Sequence, residues 1–122
     1  MRYADGVMMK AKNLLVNITH SPNSRGMTEL YLVLALASSP ERHKLRIIFS
    51  GDGVYFVPAD FNPGDWDKIL TSLRVLNVEL LVEEESLNER GISAGAIREN
   101  FTTRPRQELS SFPGEANHVL AF

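Results

Sequence analysis

Four short apolar runs divide the chain, and between them apolar residues return every three or four positions. Asn13–Ile18 (NLLVNI), Leu45–Phe49 (LRIIF), Glu79–Val82 and His118–Phe122 (HVLAF) have the length of buried strands. Met27, Leu30, Tyr31, Leu34 and Ala35 keep helical spacing, and Ser38-Ser39-Pro40 closes that helix because the residue before proline resists the helical region. Trp66, Ile69, Leu70, Leu73 and Leu76 predict a second helix, with Asp65 as its cap behind Pro63-Gly64. A short helix over Glu84–Arg90 should stop at Gly91, and Ser93 should cap one more turn through Ile97. Phe101-Thr102-Thr103 reads as a short edge strand, and Gln107–Phe112 as a faintly marked helix. Alternating strands and helices imply a mainly parallel sheet with helices on both faces.

Composition narrows the classes. Apolar residues make up 43% and charged residues 23% of the 122 positions, ordinary for one globular domain. Thirteen basic against 15 acidic residues leave net charge −2, so no direct nucleic-acid binding is expected. No apolar run approaches the roughly 18 residues of a membrane span. Residues 1–12 lack the apolar stretch of a secretory leader and read as a loose extension before a single domain over 13–122. A cytoplasmic location is the matching expectation. The chain has no cysteine, which excludes disulfides, thiolate metal sites and thiol nucleophiles.

In such sheets ligands bind outside the carboxyl ends of the strands. That rule singles out the loops after Ile18, Phe49 and Val82. Thr19–Gly26, with His20 and Ser21, is a candidate anion cradle, but it matches no phosphate-loop pattern and an ordinary strand-to-helix loop explains it as well. Asp52, between Gly51 and Gly53, is a candidate base or ligand, with capping of the following segment the plainer role. Glu83, Glu84 and Glu85 cannot all face one ligand, since neighbours on a helix diverge by about 100°. Glu84 and Glu85 fit an acidic first turn; Glu83, directly after the strand, points to the sheet edge. With the first three strands side by side, His20, Asp52 and Glu83 would span roughly 10 Å, within reach of a small ligand. His43 and His118 have no partner spacing. No metal site, cofactor or catalytic residue is assigned.

The opening strand and Thr19–Gly26 loop before Met27-Thr28-Glu29-Leu30, the stretch Phe49-Ser50-Gly51-Asp52-Gly53-Val54, Ser86-Leu87-Asn88-Glu89-Arg90-Gly91, and the closing Val119-Leu120-Ala121-Phe122 together resemble the DsrE/DsrF-like sulfur-relay family, in particular its TusC/DsrF branch. The resemblance implies a three-layer α/β/α sandwich around a five-stranded sheet. It implies assembly into homo-oligomers (dimer, trimer or hexamer) or hetero-oligomers with cysteine-bearing relatives. Members with a cysteine just before the short helix carry persulfide sulfur there, for tRNA thiolation or dissimilatory sulfur oxidation. Glu83 stands in that place, and a carboxylate forms no persulfide. The expectation is a non-catalytic, partner-binding accessory subunit. The rival is a small-molecule or anion-binding protein, an enzyme included, using His20, Ser21, Asp52 and Glu83, with those groups converging and a buried carboxylate raised in pKa. Met8, Met9, Tyr55, Phe56, Phe61 and Trp66 belong either to subunit contacts or to the core.

Overall fold

The computed structural model describes residues 12–38 and 43–122. The expected extension, Met8 and Met9, and the Ser39-Pro40 stop therefore lie outside the described residues. Five strands form one sheet: β1 (Asn13–Ile18), β2 (Lys44–Phe49), β3 (Glu79–Glu83), β4 (Thr102–Arg104) and β5 (His118–Ala121). Their order is β4-β3-β2-β1-β5, and every pairing is parallel. The helices are α1 (Met27–Ala37), α2 (Trp66–Val75), α3 (Glu84–Glu89) and α4 (Arg106–Leu109). The predicted α/β class, sheet direction and strand number all hold, and the C-terminal helix is shorter and earlier than Gln107–Phe112.

The period of two along each strand splits the core into two unequal halves. Leu14, Val16 and Ile18 of β1, Leu45, Ile47 and Phe49 of β2, and Leu80 and Val82 of β3 face α1 and α2. Those helices answer with Leu30, Val33, Ala37, Trp66, Ile69, Leu70 and Leu73. The opposite face offers Leu15, Ile48 and Leu81, which among the described residues are covered by Leu109 of α4 with Phe112 and Ala116 behind it. Arg46 pins this thin third layer. It pairs with Glu79 (2.9 Å) and Glu115 (3.5 Å), and its guanidinium carbon lies 4.5 Å from the centre of the Phe112 ring.

The aromatic residues resolve mostly toward the core. Phe56 and Trp66 are fully buried, their rings 5.4 Å apart, and Phe61 packs on both. Phe56 and Trp66 are therefore removed as contact surface, whereas Phe61 is half-buried and Tyr55 stays exposed. Asp65 does occupy the position before α2, but its side chain makes no capping bond. Ser93 caps as expected, its hydroxyl accepting from the Gly95 amide (3.2 Å) over a 3-10 turn, Ala94–Ala96.

Candidate functional site at the carboxyl edge of the sheet

β1, β2 and β3 are neighbours, so the loops after them share one edge, as the sequence predicts. The chain runs outward from β1 to β4 and then returns to β5 on the other side of β1. That reversal puts a switch point between β1 and β5. The first loop folds closed as an irregular helical turn, Pro22–Gly26, in which the amides of Ser24 and Gly26 both donate to the Ser21 carbonyl (3.1 and 3.0 Å). Those two amides are spent internally, which favours the ordinary strand-to-helix loop over the candidate anion cradle at Thr19–Gly26.

His20 turns away from the other candidates. Its Nδ1 lies 3.1 and 3.3 Å from the two carboxylate oxygens of Glu29, in the first turn of α1. Glu29 is 3% exposed, and His20 is the only side chain bonded to it among the described residues. The contact suits the tautomer in which Nδ1 bears the ring proton and donates it to a carboxylate oxygen, which accepts. A buried carboxylate without such a donor is costly, and the pair satisfies it.

Glu83 anchors a second network. Its Oε1 accepts from the Ser86 hydroxyl (2.5 Å) and from Arg106 Nη2 (2.8 Å). Ser86, itself buried, accepts from the Gly51 amide (2.9 Å), which ties α3 to the turn after β2. The hydrogen bond from Arg106 holds the Glu83 carboxyl below its ordinary range against the opposing pull of burial; Ser86 and the charges of Arg106 and Arg90 add to the lowering. The raised carboxylate expected of a binding pocket is thus replaced by a lowered one. Glu84 and Glu85 occupy the first turn of α3 as predicted, and Glu85 also accepts from the Arg106 amide (2.8 Å) at the start of α4.

Asp52 caps nothing. It lies in the first turn of a 3-10 segment, Gly51–Phe56, and accepts from Arg90 Nε (3.1 Å). Arg90 Nη1 also donates to the Ser86 carbonyl (3.2 Å), so Asp52 and Glu83 meet only through Arg90 and α3. The edge holds two separate clusters, not one convergent His20–Asp52–Glu83 site. Ser21 and Asp52 do line a common cleft of about 530 Å³, with Asn23, Tyr55 and Asp60. Among the described residues no three His, Asp or Glu side chains are placed to hold a metal ion. No helix among them is long and apolar enough to cross a membrane.

Sequence reasoning missed Glu29, Arg90 and Arg106. Glu29 did carry a signal, since it is the one charged residue in α1 and shares the inward side with Leu30, Val33 and Ala37. Arg106 and Arg90 act from 23 and 38 positions away and carried none.

The sequence model of the DsrE/DsrF-like family matches residues 12–122, a span that includes every described residue. The chain belongs to the DsrE/DsrF-like family. No curated protein matches it. Among solved structures, this DsrE/DsrF-like chain is similar to the YchN protein from E. coli, with a TM-score of 0.76 at 23% identity, over 93% of this chain and 100% of that one. It is also similar to MTH1491, a protein of unknown function from Methanobacterium thermoautotrophicum, with a TM-score of 0.71 at 13% identity, over 88% and 97% of the two chains. At these identities the likeness is one of fold.

The lowered carboxyl of Glu83 has a measurable consequence. A group whose folded pKa is depressed stabilises the fold above its unfolded value, about 4.3 for glutamate, and that contribution is lost as pH falls through the folded value. Acid unfolding of the native chain should therefore have a component below about pH 4.3 that is missing in Glu83→Gln and Arg106→Ala. Stability measured against pH in denaturant checks this. Identical acid limbs in all three proteins would show that the pair does not couple to folding.

Proposed function

We propose that this DsrE/DsrF-like chain, whose motifs resemble the TusC/DsrF branch, serves sulfur relay as a binding subunit that carries no sulfur itself. The observation that carries the reading is the state of Glu83. It stands at the end of β3, where the family resemblance puts the sulfur-bearing cysteine, and its carboxylate is held by Ser86 and Arg106. A carboxylate has no sulfur to accept a sulfane atom, and the chain has no thiol elsewhere. Family membership supports a relay setting, and the edge built by α3, with Arg90 after it and Arg106 of α4 across from it, supports a docking surface there. The subunit would act through complex formation with a cysteine-bearing DsrE-like protein.

The test incubates this chain with a persulfide donor and a cysteine-bearing DsrE-like protein from the same source, followed by intact-mass spectrometry of both. Added sulfur should appear on the cysteine-bearing protein alone. A stable sulfur adduct on this chain would refute the reading.

A further inference from the structure

The cleft between the loops that follow β1 and β2 has walls that are fixed by the rest of the fold. One wall is the closed turn after β1, where Pro22 and Asn23 stand. The second is Tyr55, 43% exposed between the fully buried Val54 and Phe56, so the core anchors its backbone on both sides. The third runs from Pro58 to Phe61 and is tied to the chain beyond α3. Pro58 bridges to Ile97, the Ala59 amide donates to the Ala96 carbonyl (2.8 Å), and Arg98 Nη2 donates to the Phe61 carbonyl (3.1 Å). The enclosed volume, about 530 Å³, lies in the range of small-molecule sites. Its place at the carboxyl edge is where parallel sheets take ligands. This is a preformed cavity that the relay role leaves unused.

Its lining selects the charge of the ligand. Among the described residues the charged groups of the lining are Asp52 and Asp60, and no basic side chain joins them. Arg90 Nε donates to Asp52, whereas no described residue donates to the Asp60 carboxylate. Tyr55 and the half-buried Phe61 add aromatic rings. An anion would meet no cation in this lining. A metal ion would lack ligands, because no three described His, Asp or Glu side chains are placed to hold one. An uncharged apolar compound would displace water from Asp60 and offer nothing in return. A cation on a carbon frame answers both features, since carboxylates and aromatic faces each attract it.

We infer that this cleft binds a small organic ammonium ion, its charge set against Asp60 and its carbon body on the Tyr55 ring. Both groups are exposed, so the affinity should be modest, with a Kd in the millimolar range. Binding here is independent of Glu83 and of any cysteine-bearing relative.

Titration with choline, followed through backbone amide shifts, tests the site. Dimethylbutanol, which keeps the shape of choline without its charge, is the control. With the native chain, choline should shift Asn23, Tyr55 and Asp60 saturably, and the alcohol should bind about threefold or more weaker. Asp60→Asn and Tyr55→Leu should each raise the choline Kd about threefold or more, with thermal unfolding as in the native chain. Equal binding of the alcohol would make the cleft merely apolar and overturn the inference. Native affinity in both variants would place choline elsewhere and overturn it too, as would a native chain with no saturable shifts. Any of these results leaves the relay role standing, because that role rests on Glu83 and on complex formation.

Discussion

Gly53→Ala should destabilise the protein by about 3 kcal/mol or more, a large share of the roughly 5–15 kcal/mol that a domain of this kind possesses. A Cβ at this position would lie 2.0 Å from the Ile18 carbonyl oxygen and 2.8 Å from its carbon. Both are backbone atoms at the end of β1, so no rotamer change relieves the clash. The Ile18 carbonyl also accepts from the Ser50 amide (3.1 Å), which fixes the two strand ends together. Moving Gly53 outward would therefore pull on the 3-10 segment that seats Val54 and Phe56 in the core. Gly114→Ala is the control, because nothing lies within 4 Å of its Cβ, and it should unfold like the native chain. Chemical denaturation of the two variants decides the matter. A Gly53→Ala protein as stable as the control would show that this turn does not pack as described.

The second large effect is a gain. Glu83→Cys should give the chain one thiol whose pKa lies at least one unit below the ordinary value of about 8.5. The groups that hold the native carboxylate, the Ser86 hydroxyl and the Arg106 guanidinium, with the charge of Arg90 nearby, would all favour a thiolate. Such a thiolate attacks the outer sulfur of a donor persulfide, forming a Cys–S–S⁻ group and releasing the donor thiolate. Thiolate absorbance against pH measures the first step, and mass spectrometry measures the second, from no sulfur on the native chain to about one per chain on the variant. Adding Arg106→Ala should return the pKa toward the ordinary value. A thiol with an unshifted pKa that takes up no sulfur would show that the edge no longer supports the chemistry of its relatives.

The legible and illegible parts of this protein divide along physical lines. Strands buried on both faces, such as Lys44–Phe49, are short apolar runs that announce themselves, and α2 keeps a regular apolar stripe. The acidic first turn of α3 was legible because a helix start favours negative charge whatever surrounds it. Asp52 was misread as a cap because local propensity cannot see Arg90, which claims its carboxylate from across the edge. His20, Asp52 and Glu83 were correctly placed on neighbouring strand ends, yet side-chain direction separated them. His20 turns back to Glu29, whereas Glu83 is drawn to Arg106 by a helix that follows another strand. Trp66 and Phe56 show the same limit, since composition alone does not distinguish an aromatic core from an aromatic interface.

The central claim is that the chain works by joining a cysteine-bearing relative while carrying no sulfur. Sedimentation velocity of the native chain mixed with each cysteine-bearing DsrE-like protein from the same source tests it most directly. A boundary faster than either protein alone, at micromolar concentration and with at least one of them, is the predicted result. Independent boundaries with every one of them would contradict the account.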